Sequence, residues 1–242
     1  MGDTEHIGIL SDTVDYAFDL LQVTAGYHPD DPSSWPFQKD FLKTSSIDLP
    51  SVRPGISADL NTARPDETSI SIFNRVVSDL QKFGYQISYP DIEIAGDFDD
   101  TDGLYDPCAA LSIADISNNR INRIDPVVAV EAAARSKLSS LTEFKRLRGI
   151  RSKLCRSFNA MFESVNLLLT LTQKSTANRL NETAEPMKLT RFFDLAGQPA
   201  ISIPVGLGKN GLPVGLQLIA NCGQENLLMR VASDIMDRIH ES

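Results

Sequence analysis

The sequence predicts an α/β fold in which a central sheet is covered by helices, and three observations lead there. Residues 200–205 and 216–220 are two short runs that are apolar at nearly every position. A strand covered on one side only would alternate apolar and polar residues, so an unbroken run points to strands buried on both faces. Between the runs Gly206, Gly208, Asn210, Gly211 and Pro213 supply the residues of a chain reversal, and the two read as a hairpin. The third observation is a set of amphipathic stretches of helical period elsewhere in the chain, which supply the covering layers. Pro199 and Pro204 fall where a ladder N–H would be wasted, which places them at strand entry and strand exit.

In chain order, residues 11–24 have helical spacing. Val14, Ala17, Phe18 and Leu21 recur at three and four residues, Ser11 or Asp12 can cap, and Gly26 follows as a stop. Residues 27–50 lose this period and gain proline, serine and aspartate, which predicts a surface loop pinned by Trp35, Phe37 and Phe41. Residues 52–90 read as a strand-helix-strand unit. Its edge strand over 52–60 is interrupted by Pro54; its helix over 66–83 turns Ile70, Phe73, Val77 and Leu80 inward; Gly84 then precedes a strand over 85–89. Asp97, Asp99, Asp100, Asp102 and Asp106 invite a calcium loop, but Phe98 interrupts the spacing and no closing glutamate follows, so a solvated loop with capping aspartates is predicted.

Residues 107–172 are predicted helical for most of their length, with helices over 107–116, 126–138 and 142–161. In the last of these Lys145, Arg146, Arg148, Arg151, Lys153 and Arg156 form one solvated basic face. A polar loop over 173–187 leads to the core hairpin. Residues 224–239 close the chain as a helix with Leu227, Leu228, Val231, Ile235 and Ile239 inward, so that 194–239 make one unit of a single domain.

Composition excludes several functions. At 242 residues and 42% hydrophobic content the chain can bury a core of its own. A formal charge of −9 repels phosphate, and Lys and Arg gather only within residues 145–156, so no direct nucleic-acid partner is expected. No apolar run approaches the ~20 residues that span a bilayer, and residues 1–6 lack the basic and apolar segments of a signal peptide, so a cytoplasmic location is expected, with no membrane contact. Cys108, Cys155 and Cys222 are odd in number and far apart, as reduced structural thiols are. Asn181-Glu182-Thr183 is a glycosylation sequon in form only. His6, His28 and His240 have no metal-binding spacing and Gly-x-Ser-x-Gly is missing, so neither metal nor cofactor is expected. Gly206-x-Gly208-x-x-Gly211 joins two strands and opens no helix, which rules out a dinucleotide loop.

Gly197-Gln198-Pro199-Ala200-Ile201-Ser202-Ile203-Pro204-Val205-Gly206, with Gly211-Leu212-Pro213-Val214-Gly215-Leu216-Gln217-Leu218 after it, resembles the C-terminal hallmark of the amidase signature family. The resemblance implies a mixed central sheet covered by helices, present here as a partial amidase-signature fold. It also implies hydrolysis of carboxylic amides or, in one branch, supply of ammonia to charged tRNA. Residues 8–17 resemble the segment that immediately follows the family's catalytic core, with Ile9 where proline is usual. Residues 158–172 resemble its return strand, with Leu171 where proline is common.

Members of that family use a serine nucleophile, a second serine in a cis peptide that relays its proton, and a lysine base, with backbone N–H groups of a glycine-rich loop holding the oxyanion. All of these lie upstream of the helix that here begins at Ser11. Ser33-Ser34, Ser45-Ser46 and Ser139-Ser140 stand beside no glycine, so no nucleophile loop is expected and no catalytic residue is assigned. The resemblance therefore implies the C-terminal half of an amidase, inactive alone, meeting a small-molecule amide only when completed by an N-terminal half. The alternative is a non-catalytic pseudoenzyme or remnant that acts at most as a binding or interaction module.

Thr170, Thr172, Asp194, Gly197 and Gln198 resemble positions that line the family's substrate pocket; as plain chemistry they are capping and turn residues. Loss of a covering half would expose Ile201, Ile203, Val205, Leu216, Leu218 and Ile219, at ~2 kcal/mol of burial each. That predicts an exposed apolar face through which the chain meets a protein partner or a second copy of itself.

Overall fold

The computed structural model describes residues 6, 8–30, 34, 48–57, 65–90, 141–179 and 188–240. The expectations for Trp35, Phe37 and Phe41, for the aspartates of residues 97–106, for Cys108, for Asn181 and for helices over 107–116 and 126–138 lie outside the described residues.

Four strands make one sheet: β1 (Pro54–Gly55), β2 (Leu167–Leu171), β3 (Ala200–Leu207) and β4 (Pro213–Ile219), in the order β1-β2-β4-β3. β1 runs parallel to β2, and β4 runs antiparallel to both β2 and β3, so the sheet is mixed. Among the described residues five helices surround it: α1 (Val14–Thr24), α2 (Glu67–Lys82), α3 (Leu141–Ser164), α4 (Lys188–Ala196) and α5 (Glu225–His240).

Strand parity decides which helix covers which face, because successive side chains point to opposite sides. Leu169, Leu171, Ile203, Val205, Leu216 and Leu218 share one core with Phe73, Val77 and Leu80 of α2 and Val231 and Ile235 of α5. Leu168 and Ile219 turn to the opposite face and pack with Leu154 and Phe158 of α3 and Phe192 and Phe193 of α4. The rings of Phe158 and Phe193 lie 5.2 Å apart at a 46° tilt, tying α3 to α4. A sheet so sandwiched needs apolar residues at consecutive positions, and β2 is buried throughout.

β3 departs from the expectation of burial on both faces. Among the described residues it is an edge strand, and Ala200, Ser202 and Pro204 are exposed while Ile203 and Val205 are buried. Pro204 stands inside β3, at the register shift between Pro204 and Gly206, rather than at the strand exit; an edge strand at a bulge tolerates a residue without an N–H. The predicted apolar face does not arise from the hairpin. Ile203, Val205, Leu216, Leu218 and Ile219 are buried within this chain, and Ile201 is partly covered.

Other differences are local. The predicted edge strand contracts to Pro54–Gly55 and the strand over 85–89 to a single parallel bridge between Ser88 and Gly55. On α2 the inward face is Ile72, Phe73, Val76, Val77 and Leu80, while Ile70 is 40% exposed. Asp66 caps α2 as its N-cap, accepting from Ser69 N at 2.9 Å; on α1 the cap is Thr13, accepting from Tyr16 N at 3.2 Å, instead of Ser11 or Asp12. α3 continues through residues 158–164, and only then does β2 begin. Arg151 leaves the basic face and donates through Nε to the Leu195 carbonyl at 2.7 Å.

Sequence reading passed over α4 altogether, although Leu189, Phe192, Phe193 and Ala196 have helical spacing. Its end explains why Gly197 follows. Gly197 has φ +74°, its N–H bonds the Asp194 carbonyl at 3.1 Å, and the Gln198 N–H bonds the Phe193 carbonyl at 2.9 Å. This pair of bonds is a Schellman motif, which needs a left-handed residue at that position.

Candidate binding site

The turn after α4 brings the hallmark residues to the rim of a cavity of about 540 Å³. Asp194 and Gln198 line it, together with Thr190, Arg191 and Phe193 of α4. The remaining walls are the start of β3, the first turn of α5, the inner side of α1 and the segment around Ile9.

Of the five residues named from sequence, two therefore face the cavity directly and three support it. Gly197 forms the turn between Asp194 and Gln198. Thr170 lies behind Gln217, a wall residue whose Nε2 donates to Thr170 Oγ1 at 3.1 Å and to the Leu189 carbonyl at 3.2 Å. Thr172 lies behind Ser202, another wall residue, with their hydroxyl oxygens 2.6 Å apart. Thr170, Thr172, Gln217 and Ser202 have the same strand parity, so they form a polar stripe across β2, β4 and β3. The stripe closes over Gly215, where an added Cβ would lie 2.7 Å from Thr172 Oγ1 and 2.9 Å from Ser202 Oγ.

Apart from Asp194, the charged groups of the wall escaped sequence reading. His6 Nδ1 meets Asp194 Oδ1, linking residues 188 positions apart. That hydrogen bond raises the His6 pKa above its ordinary value, against partial burial and the charge of Arg151, which lower it. Burial lowers the pKa of Arg191, on the α4 side of the wall, and raises that of Glu225 in the first turn of α5. Polar residues at alternate positions of apolar strands were a signal for Gln217 and Ser202. No local pattern marks His6, because its partner Asp194 lies 188 positions away, and Glu225 reads from sequence only as an acidic residue in the first turn of a helix.

The arrangement suits holding a ligand better than attacking one. The Ser202 hydroxyl pairs with Thr172, not with a base. Cys222, whose Sγ donates to the Gly197 carbonyl at 2.9 Å, has its thiol pKa raised by burial first and by Glu225 next, which disfavours the nucleophilic thiolate. Among the described residues no group of His, Cys, Asp and Glu side chains is placed to hold a metal ion, and no helix is long and apolar enough to cross a membrane.

Comparison with known proteins adds three findings. The family model described as Amidase matches residues 3–229. A glutamyl-tRNA(Gln) amidotransferase subunit from Microcystis aeruginosa is 27% identical over 263 residues, covering 94% of this chain and 54% of that protein; its namesake in Synechococcus sp. is 43% identical over 96 residues, 37% of this chain and 20% of that protein. Among solved structures, the corresponding glutamyl-tRNA(Gln) amidotransferase subunit from Thermotoga maritima superposes with a TM-score of 0.71 at 21% identity, covering 94% of this chain and 51% of its own. A 6-aminohexanoate cyclic dimer hydrolase does so with a TM-score of 0.75 at 21% identity, covering 95% and 54%. The chain thus spans about half the length of the Microcystis relative and of these two structures.

Proposed function

Because this chain belongs to the amidase family, we propose that it serves the hydrolysis of carboxylic amide C–N bonds by supplying one wall of the site. The serine nucleophile, relay serine and lysine base come from polypeptide outside these 242 residues. The observation that carries this reading is the cavity at the hallmark turn, where Asp194 and Gln198 face a space beside the start of β3. Thr170, Thr172 and Gly197 set the positions of that wall through Gln217, Ser202 and the turn itself.

On this reading the completing polypeptide is a protein partner or a fused segment. Relatives named as one subunit of an amidotransferase support a partner. An aryl amide assay tests the proposal: the 242-residue chain alone gives no turnover and no fluorophosphonate adduct, whereas the chain combined with an amidase N-terminal half bearing the serine loop and lysine gains turnover. Turnover or a serine adduct on the lone chain would overturn it. A second reading, a binding module without catalysis, is favoured by the hydroxyl pairing of Ser202 with Thr172 and the raised pKa of Cys222. It predicts that combination with the N-terminal half gives no turnover while ligand binding persists.

A further inference from the structure

Two acceptors in the cavity wall lack a donor. Gln198 is 7% exposed, and its Oε1 has no hydrogen-bond partner among the described residues; neither has the buried Glu225 Oε2. Both residues line the same cavity. Cys222 Sγ reaches the carbonyl of Gly197, the residue before Gln198, and the charge of Glu225 acts on the same thiol.

Buried acceptors without donors are rare in native proteins, because the group forfeits its water and gains nothing in exchange. The other charged groups of the wall are His6 and Asp194, which bond each other, and Arg191. Ile9, Leu21, Leu228 and Met229 give the cavity apolar surface beside the two acceptors.

We propose that this cavity binds a small organic primary ammonium, with Gln198 Oε1 and Glu225 Oε2 accepting its N–H groups and the apolar wall holding its alkyl part. An ammonium carries three donors and no acceptor, which matches two acceptors with nothing to offer in return. A neutral primary amide also presents two N–H groups, but without a charge its hydrogen bonds to the two oxygens are weaker. A carboxylate would meet like charge at Glu225. The inference goes beyond amide hydrolysis and is tested by binding alone.

Titration calorimetry of the full 242-residue chain with n-butylammonium, butyramide, n-butanol and butyrate is the experiment. Butylammonium is expected to bind about tenfold or more tighter than butanol or butyramide, the difference a charge-assisted hydrogen bond provides. Glu225→Gln and Gln198→Leu should each lower the ratio of butylammonium to butanol affinity toward one. Should Glu225→Gln lose its cooperative melting transition, Gln198→Leu decides alone. Equal binding of butylammonium and butanol, preferential binding of butyrate, unchanged affinity in the folded variants, or no binding of any probe would overturn the proposal.

Discussion

At Gly215 the sheet face has no room for a side chain. A methyl group would meet the oxygens of Thr172 and Ser202 at 2.7 and 2.9 Å, and Thr172 Cβ at 3.0 Å. Both hydroxyls sit one bond from their Cβ, so relief takes a change of rotamer and the loss of the Thr172–Ser202 hydrogen bond. Gly215→Ala is expected to destabilise by about 1–3 kcal/mol, lowering Tm by several degrees; a melting curve matching the wild type would show that the stripe yields. His6 is the second residue with a testable consequence. Its pKa is raised by the hydrogen bond to Asp194. A histidine raised in the folded state contributes stability that is fully present below its unfolded value of 6.5 and is lost as pH rises through the folded value. Proton NMR of the His6 ring should therefore show a midpoint above 6.5 that falls back in Asp194→Asn. A midpoint that ignores the substitution would mean the contact is not made in solution.

At the scale of elements, α4 and β3 illustrate how a short motif carries geometry. The left-handed Gly197 ends α4 and aims the chain so that Asp194 and Gln198 border one cavity while Ala200 enters the sheet. An added Cβ at Gly197 would have nothing within 4 Å, so a substitution there is opposed by the backbone alone. Gly197→Ala is expected to lose about 1–2 kcal/mol of stability, and Gly197→Asn less, because asparagine tolerates the left-handed region. Equal losses in chemical denaturation of the two variants would place the constraint elsewhere. The second anchoring element is the residue 83–85 turn, where Tyr85 donates to Asp234 Oδ2 at 2.7 Å and Arg238 lies over the Phe83 ring at 5.1 Å, joining the end of α2 to α5.

Among the described residues exposed apolar side chains cluster along α1, while on the hairpin Leu207 and Leu212 near its tip are exposed as well. Tyr16, Leu20 and Val23 recur at four and three residues and are 64%, 45% and 74% exposed. Residues at that spacing share one face of a helix. Together with the edge of β3 that is unpaired among the described residues they offer two surfaces a complementary polypeptide would cover, and an open edge is itself a site of strand pairing between chains. The chain alone is expected to associate as its concentration rises in sedimentation velocity runs. Leu20→Glu combined with Val23→Lys should reduce that association without lowering Tm. A single monomeric species for the wild type across the range would remove the basis for a covered face.

Much of this protein was legible from its residues alone. Helical spacing marked α1, α2, α3 and α5, and the hallmark run with its glycine turn marked the central hairpin, its family and two residues of the cavity wall, Asp194 and Gln198. These features depend on neighbours in the chain, and periodicity reports neighbours. Tertiary structure alone decided that β3 is an edge while β4 is central, because strand order is a pairing of distant segments and an apolar run reads the same in either place. It alone joined His6 to Asp194 and left Gln198 Oε1 and Glu225 Oε2 without a donor among the described residues, since hydrogen-bond satisfaction is a property of what surrounds an atom once the chain is packed.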